Sequence, residues 1–159
     1  DIQKLVEYRN ISKWVKISTP SIYKKALQLE EKGFIKGNIV KEGKMPEKAV
    51  YSLTDAGNRE FERLMLEIAA KPIHIFLDFN AVIVNLDSLP LEIQQSCVNN
   101  IEKNIQTLKT YLEENILEKE NIPEIPETGM AVLQQQYVLV EAIEKWIASL
   151  KERFPSNNQ

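Results

Sequence analysis

The chain has 159 residues, 43% hydrophobic and 27% charged, with a formal net charge of −3. That balance excludes a globally disordered chain, and the length supports one good core or a small domain with an appended element. A single cysteine, Cys97, excludes intrachain disulfides; no apolar run of about 18 residues offers a membrane span and no leader peptide is visible, so a cytoplasmic protein is expected.

Charge is unevenly placed. Residues 1–53 hold 11 Lys or Arg against 6 Asp or Glu, and residues 54–159 hold 9 against 17. The first third therefore suits a polyanion or an acidic partner.

In chain order, DIQKLVEYRN sets Ile2, Leu5 and Val6 along one side of a short amphipathic helix. It begins abruptly, and a preceding helix is expected to be missing. Residues 11–17 form a connector that tucks in Trp14 and Ile17. Next, STPSIYKKALQLEEKGFI predicts a helix of about 13 residues, with Thr19 as N-cap, Pro20 at the first helical position and Gly33 as the left-handed stop. FIKGNIV and AVYSL read as strands joined by the polar turn KEGKMPEK, a basic hairpin. Thr54 caps the following helix, whose apolar stripe is Phe61, Leu64, Met65 and Ile68, and Pro72 closes it.

Residues 73–86 are apolar on most sides and predict a buried helix, with a strand as the alternative. DSLP breaks the chain, with Asp87 or Ser88 as the next cap. From Leu91 to about Lys119 the apolar positions are Cys97, Ile101, Ile105, Leu108, Leu112 and Ile116. After the proline-bearing loop NIPEIPETG, residues 128–154 carry the stripe Met130, Leu133, Tyr137, Val140, Ile143, Ile147, Leu150 and Phe154. Two long amphipathic helices joined by a loop predict an antiparallel hairpin.

On a helical wheel the 19–31 segment divides into two faces. Ile22, Ala26 and Leu29 share one, with Tyr23 and Leu27 at its edge. Ser21, Lys24, Lys25, Gln28 and Lys32 occupy the other, where short hydroxyl, amide and lysine groups suit phosphate oxygens and base edges. An ordinary solvated face would look the same by itself. The order of elements decides: helix, connector, capped helix and basic hairpin outline a winged helix-turn-helix. The expected fold is mainly α with a small two-stranded β wing, a winged helix-turn-helix over 1–71 and a helical dimerisation region over 72–159.

SIYKKALQLEEKGFI followed by GKMPEKAVYSLTDAG resembles the PadR family of bacterial transcriptional regulators. The likeness rests on Ser21, Ile22 and Tyr23, with Ser18 one turn earlier, then on Leu29, Glu30, Gly33, Phe34 and Ile35. It continues through Gly43, Pro46, Tyr51, Leu53, Thr54 and Gly57, and covers about residues 1–70; beyond residue 72 it is one of architecture. Lys44-Met45 between Gly43 and Pro46 is one residue longer than usual for the family, and the family's first helix is absent, Asp1-Ile2 resembling the tail of the motif that follows it.

The resemblance implies a homodimeric repressor that places two recognition helices about one DNA turn apart on a pseudo-palindromic operator. Double-stranded DNA would meet Ser18, Thr19, Ser21, Tyr23, Lys24, Lys25 and Gln28 on the helix and Lys41, Lys44 and Lys48 on the wing. Tyr23 is often near the DNA backbone in this family but sits at the core edge of the wheel, and both roles stand. Met130, Leu133, Tyr137, Val140, Ile143, Ile147 and Leu150 would clasp the second subunit. Some family members bind aromatic compounds, and Phe76, Phe79, Tyr137 and Trp146 are the aromatics a small-molecule effector pocket would use; core packing is their other role. The alternative function is a winged helix devoted to protein contact without DNA.

Enzyme chemistry has little material. His74 is the only histidine, Cys97 lies on an apolar stripe, Asp78 and Asp87 have no partner cluster, and there is no glycine-rich phosphate loop. No cofactor and no metal are expected.

Overall fold

Helix α1 (Thr19–Glu31) opens the computed structural model, which describes residues 19–41 and 48–153. The expected 1–10 helix, its connector with Trp14 and Ile17, Ser18, Lys44 and Phe154 lie outside the described residues. The helix ends as its glycine dictates. Gly33 has φ 72°, left-handed backbone that costs glycine nothing. The Phe34 N–H donates to the Leu29 carbonyl at 2.9 Å and the Gly33 N–H to the Glu30 carbonyl at 2.8 Å, the two bonds of a Schellman motif.

The turn delivers the chain into β1 (Ile35–Val40), which pairs antiparallel with β2 (Lys48–Leu53) in a register running from Ile35 opposite Leu53 to Val40 opposite Lys48. Thr54 then ties three segments together. Its N–H donates to the Phe34 carbonyl at 3.0 Å, and its hydroxyl donates to the Gly33 carbonyl at 2.7 Å. The same oxygen accepts the Gly57 N–H at 3.0 Å, capping α2 (Asp55–Ala69) as expected. Gly57 is buried because its Cα face lies against the Phe34 backbone. Beyond that first turn, the stripe Phe61, Leu64, Met65 and Ile68 is exposed.

The chain divides into two units, Asp1–His74 and Ile75–Gln159. In the second, the expected buried helix over 73–86 gives way to an irregular lead-in, a five-residue helix α3 (Asn80–Val84) and a 3-10 turn at Leu86–Ser88. Only Phe79, Val82, Ile83 and Leu86, one helical face, reach the core; Phe76 is 85% exposed. An apolar run without a capping side chain can propagate a helix only where packing supports it. Asp87 and Ser88 close the 3-10 turn, so α4 (Leu91–Lys119) is entered through Pro90 and not through either expected cap. Helix α5 (Glu127–Arg153) returns alongside it.

The seam of this hairpin consists of Val98, Ile101, Ile105 and Leu112 from α4 with Val140 and Ile147 from α5, closed by Leu86. Each such side chain contributes roughly 2 kcal/mol on burial. Leu108, expected on the seam, is exposed. Polar pairs flank the seam: Lys109 to Glu144 at 2.6 Å, Lys151 to Glu102 at 2.7 Å, and the Tyr137 hydroxyl donating to Glu113 at 2.9 Å. The two ion pairs step seven residues forward on α4 and seven back on α5, as antiparallel helices require. Buried Asn115 donates to the Tyr111 carbonyl at 2.8 Å and accepts from Lys119 at 2.9 Å, so its amide is satisfied at both ends. No described helix is long and apolar enough to cross a membrane.

Candidate nucleic-acid interface

The outer face of α1 follows from its spacing. Ile22 and Ala26 are half-buried, whereas Lys24, Lys25 and Lys32 are exposed. Gln28 is half-buried beside them. Tyr23, which the wheel left at an edge, turns outward at 59% exposure. Leu29, expected on the inner face, is exposed as well; its backbone carbonyl is occupied by Phe34 in the terminal turn. Thr19 and Ser21 stand in the first turn of the helix.

The charge order along α1 is the reverse of the one that stabilises an isolated helix. Its first turn holds no acidic residue and its last turn no basic one, while Glu30 and Glu31 stand at the negative end of the dipole. The N-terminal half of the helix carries no carboxylate of its own, and Lys24 and Lys25 are exposed there, at the end that favours an anion.

Lys41 is exposed just after β1, and Lys48 begins β2 opposite Val40. Lys36 is exposed on β1, a basic residue that the sequence reasoning omitted; period-two alternation against Ile35 is the signal that places it outward. Equally missed was a contact of Glu30. Its side-chain Oε1 accepts the Gly37 N–H at 2.8 Å, joining the last turn of α1 to the second residue beyond the start of β1. The Tyr51 ring, across the sheet, closes on the same glycine.

On α2, Arg63 is held by Glu60 at 2.8 Å and Glu67 at 2.9 Å, with Lys71 also on Glu67 at 3.3 Å. The guanidinium hydrogen bonds hold both carboxyls below the usual carboxylate range and raise Arg63 further. These pairs are solvent-exposed and support the helix locally.

In the second unit, Val140 and Ile147 are 2% and 1% exposed inside the chain's own hairpin, so a partner can reach only the other members of that stripe. Met130, Leu133, Tyr137, Ile143 and Leu150 are half-buried. A second apolar strip on α5, Val138, Leu139 and Trp146, faces outward. Of the four aromatics considered for a pocket, Phe79 and Trp146 stack at 5.8 Å between ring centroids and 20° between planes. Tyr137 stands nine residues from Trp146 on the same helix, about 13 Å along its axis. Its hydroxyl is engaged by Glu113, which raises its pKa above the ordinary phenol value. A shallow concavity along α4 is lined by Lys103, Gln106, Thr107, Thr110, Tyr111 and Glu114, none of which belongs to the four.

Residues 3–70 match the sequence family described as winged helix DNA-binding domain. Three crystal structures share the fold. Bacillus subtilis PadR in complex with operator DNA superposes with a TM-score of 0.78 at 18% identity, over 94% of this chain and 86% of that one. A PadR-like transcriptional regulator from Bacillus cereus gives 0.62 at 20% identity, over 96% and 84%. A Streptococcus mutans protein gives 0.63 at 17% identity, over 91% and 84%. No match is found among curated proteins.

Proposed function

We propose that this chain, which carries a winged helix DNA-binding domain and has the fold of PadR-like regulators, is a transcriptional regulator that binds DNA as a homodimer. The observation that carries the reading is the N-terminal half of α1, which bears exposed Lys24 and Lys25 and no carboxylate, beside a hairpin with exposed Lys36 and Lys41. Such a helix enters the major groove while the wing holds the phosphate backbone. Ser21, Lys24, Lys25 and Gln28 read the groove, Ser18, Thr19 and Tyr23 lie near a phosphate, and Lys41, Lys44 and Lys48 anchor the wing. A cytoplasmic protein acting as a repressor on a pseudo-palindromic operator is the form this takes.

The second unit is the dimerisation region. Its outward strip of Val138, Leu139 and Trp146 supports that role, because an amphipathic hairpin with a second apolar strip gains by covering it. The Phe79–Trp146 stack offers a flat aromatic surface to an effector that would shift the spacing of the two recognition helices. The exposed stripe of α2 favours a second reading, a winged helix used for protein contact without DNA.

Fluorescence polarisation with duplexes from the chain's own promoter region, at two salt concentrations, separates them. Salt-sensitive binding is the regulator's signature; its absence from a properly dimeric protein leaves the protein-contact reading.

A further inference from the structure

Glu30 occupies a place where helix physics disfavours it. A carboxylate in the last turn faces the negative end of the helix dipole. Its neighbour Glu31 is exposed, but Glu30 is half-buried. The compensation is specific: Glu30 receives two hydrogen bonds from the segment that follows it. Its backbone carbonyl accepts the Gly33 N–H at 2.8 Å, and its side-chain Oε1 accepts the Gly37 N–H, also at 2.8 Å. One residue thus brackets the left-handed pivot at Gly33, on its near side through the main chain and on its far side through the carboxylate.

Gly37 is shaped to receive it. A Cβ there would stand 2.8 Å from Glu30 Oε1 and 2.9 Å from Tyr51 Cε1. Both are tighter than real carbon contacts, so a side chain there would have to push back the carboxylate and the ring. Without the carboxylate, the strand would be attached to α1 by the terminal turn, by Thr54 and by sparse packing, since no apolar side chain of the described first unit is fully buried.

From these contacts we infer that Glu30 is a positioning residue for DNA binding, a latch that fixes the angle between the recognition helix and the wing. The inference rests on the DNA-binding reading above. The lever is long: from Gly37 to Lys41 is about 13 Å of strand, so a tilt of about 10° moves the wing lysines by roughly 2 Å. A displacement of that size separates a lysine from a phosphate when α1 is seated in the groove.

The test uses the full chain, native and as Glu30→Ala and Glu30→Gln. Glutamine keeps a carbonyl oxygen for Gly37 and loses the charge. Two readouts are taken. One is amide exchange at Gly37 by NMR. The other is the salt dependence of affinity for a fluorescein-labelled duplex of about 30 base pairs, selected by the native protein from a random pool. Expected for Glu30→Ala are Gly37 exchange faster by about tenfold or more, and a salt slope reduced by at least about one unit as wing phosphates are lost. The melting curve changes little, and Glu30→Gln keeps both readouts near native.

Native exchange at Gly37 in Glu30→Ala would overturn the latch. Fast exchange with an unchanged slope would overturn its role in positioning, as would equal losses in the alanine and glutamine variants. A native protein that binds no duplex sinks the DNA-binding reading and this role with it, while the exchange data still report the latch by itself. Gly37→Ala, which crowds the acceptor and the ring, is expected to reproduce the Glu30→Ala slope.

Discussion

The backbone carbonyl of Phe34 fills the space that a side chain on Gly57 would need; an added Cβ would overlap its oxygen and lie 2.9 Å from its carbon. Glycine in a helix ordinarily yields about 1 kcal/mol on replacement by alanine. Here the sign reverses. Gly57→Ala is expected to destabilise the first unit by about 3 kcal/mol or more, because a backbone atom cannot swing aside. Thr54→Ala, which removes the cap on that same amide and the bond to Gly33, costs about 1 kcal/mol, with Thr54→Ser restoring most of it. Urea titrations of the three variants check the order, and a Gly57→Ala protein as stable as native would refute the packing argument.

Replacement of Lys24 and Lys25 by alanine tests the groove face. Both are exposed, so the fold and melting temperature are expected to stay within a degree or so of native. Operator affinity should fall severely and the salt slope flatten by roughly two units. Unchanged affinity would remove these lysines from the interface.

The outward strip of α5 predicts its own phenotype. Leu139→Glu with Trp146→Ala should shift the protein toward monomer in size-exclusion chromatography with light scattering, leaving its helicity intact. Neither side chain belongs to the buried seam, although Trp146 stacks on Phe79. A double variant that remains dimeric would place the clasp elsewhere.

Alkaline pH should loosen the hairpin. The Glu144 carboxylate raises Lys109 above its ordinary value, and the hydrogen bond to Glu113 raises Tyr137. A group whose folded pKa is raised contributes stability that is complete below its unfolded pKa and lost as pH rises through the folded one. The melting temperature should therefore fall above about pH 10. Tyr137→Phe should start lower at pH 8 and decline less steeply; an unchanged slope would count against the Tyr137 contribution. Glu60 and Glu67 act in the opposite sense, their small contributions fading as pH drops through their lowered values.

What the sequence made legible was chiefly what backbone chemistry encodes locally. Gly33 and Thr54 mark their elements because their reasons act within a few residues, whereas the helix Thr19–Glu31 already includes Thr19, the expected N-cap, and sets Pro20 one place further in than expected. The run 73–86 was opaque. Its apolar composition resembles a buried helix, yet α4 and α5 leave room for a single face of it, a fact set by distant packing. On α4 the series Ile101, Leu108 and Asn115 repeats every seven residues, yet Leu108 is exposed while Asn115 is buried, a choice set by what α5 presents opposite each and not by the spacing. Glu30 stood in a recognisable motif, but its partner lies seven residues away across a left-handed turn. No periodicity reports such a contact.

The paired charges along the hairpin carry one more consequence. Glu102 precedes Lys109 on α4, and Glu144 precedes Lys151 on α5, so antiparallel alignment sets each acid against a base. Apolar seams of this kind repeat closely enough that the two helices can slide past each other by seven residues and still interleave. The charges disfavour it in both directions: one slip sets Glu102 against Glu144, the other Lys109 against Lys151. The two pairs thus read as a register mark, matching one alignment of α5 on α4 and opposing its nearest neighbours.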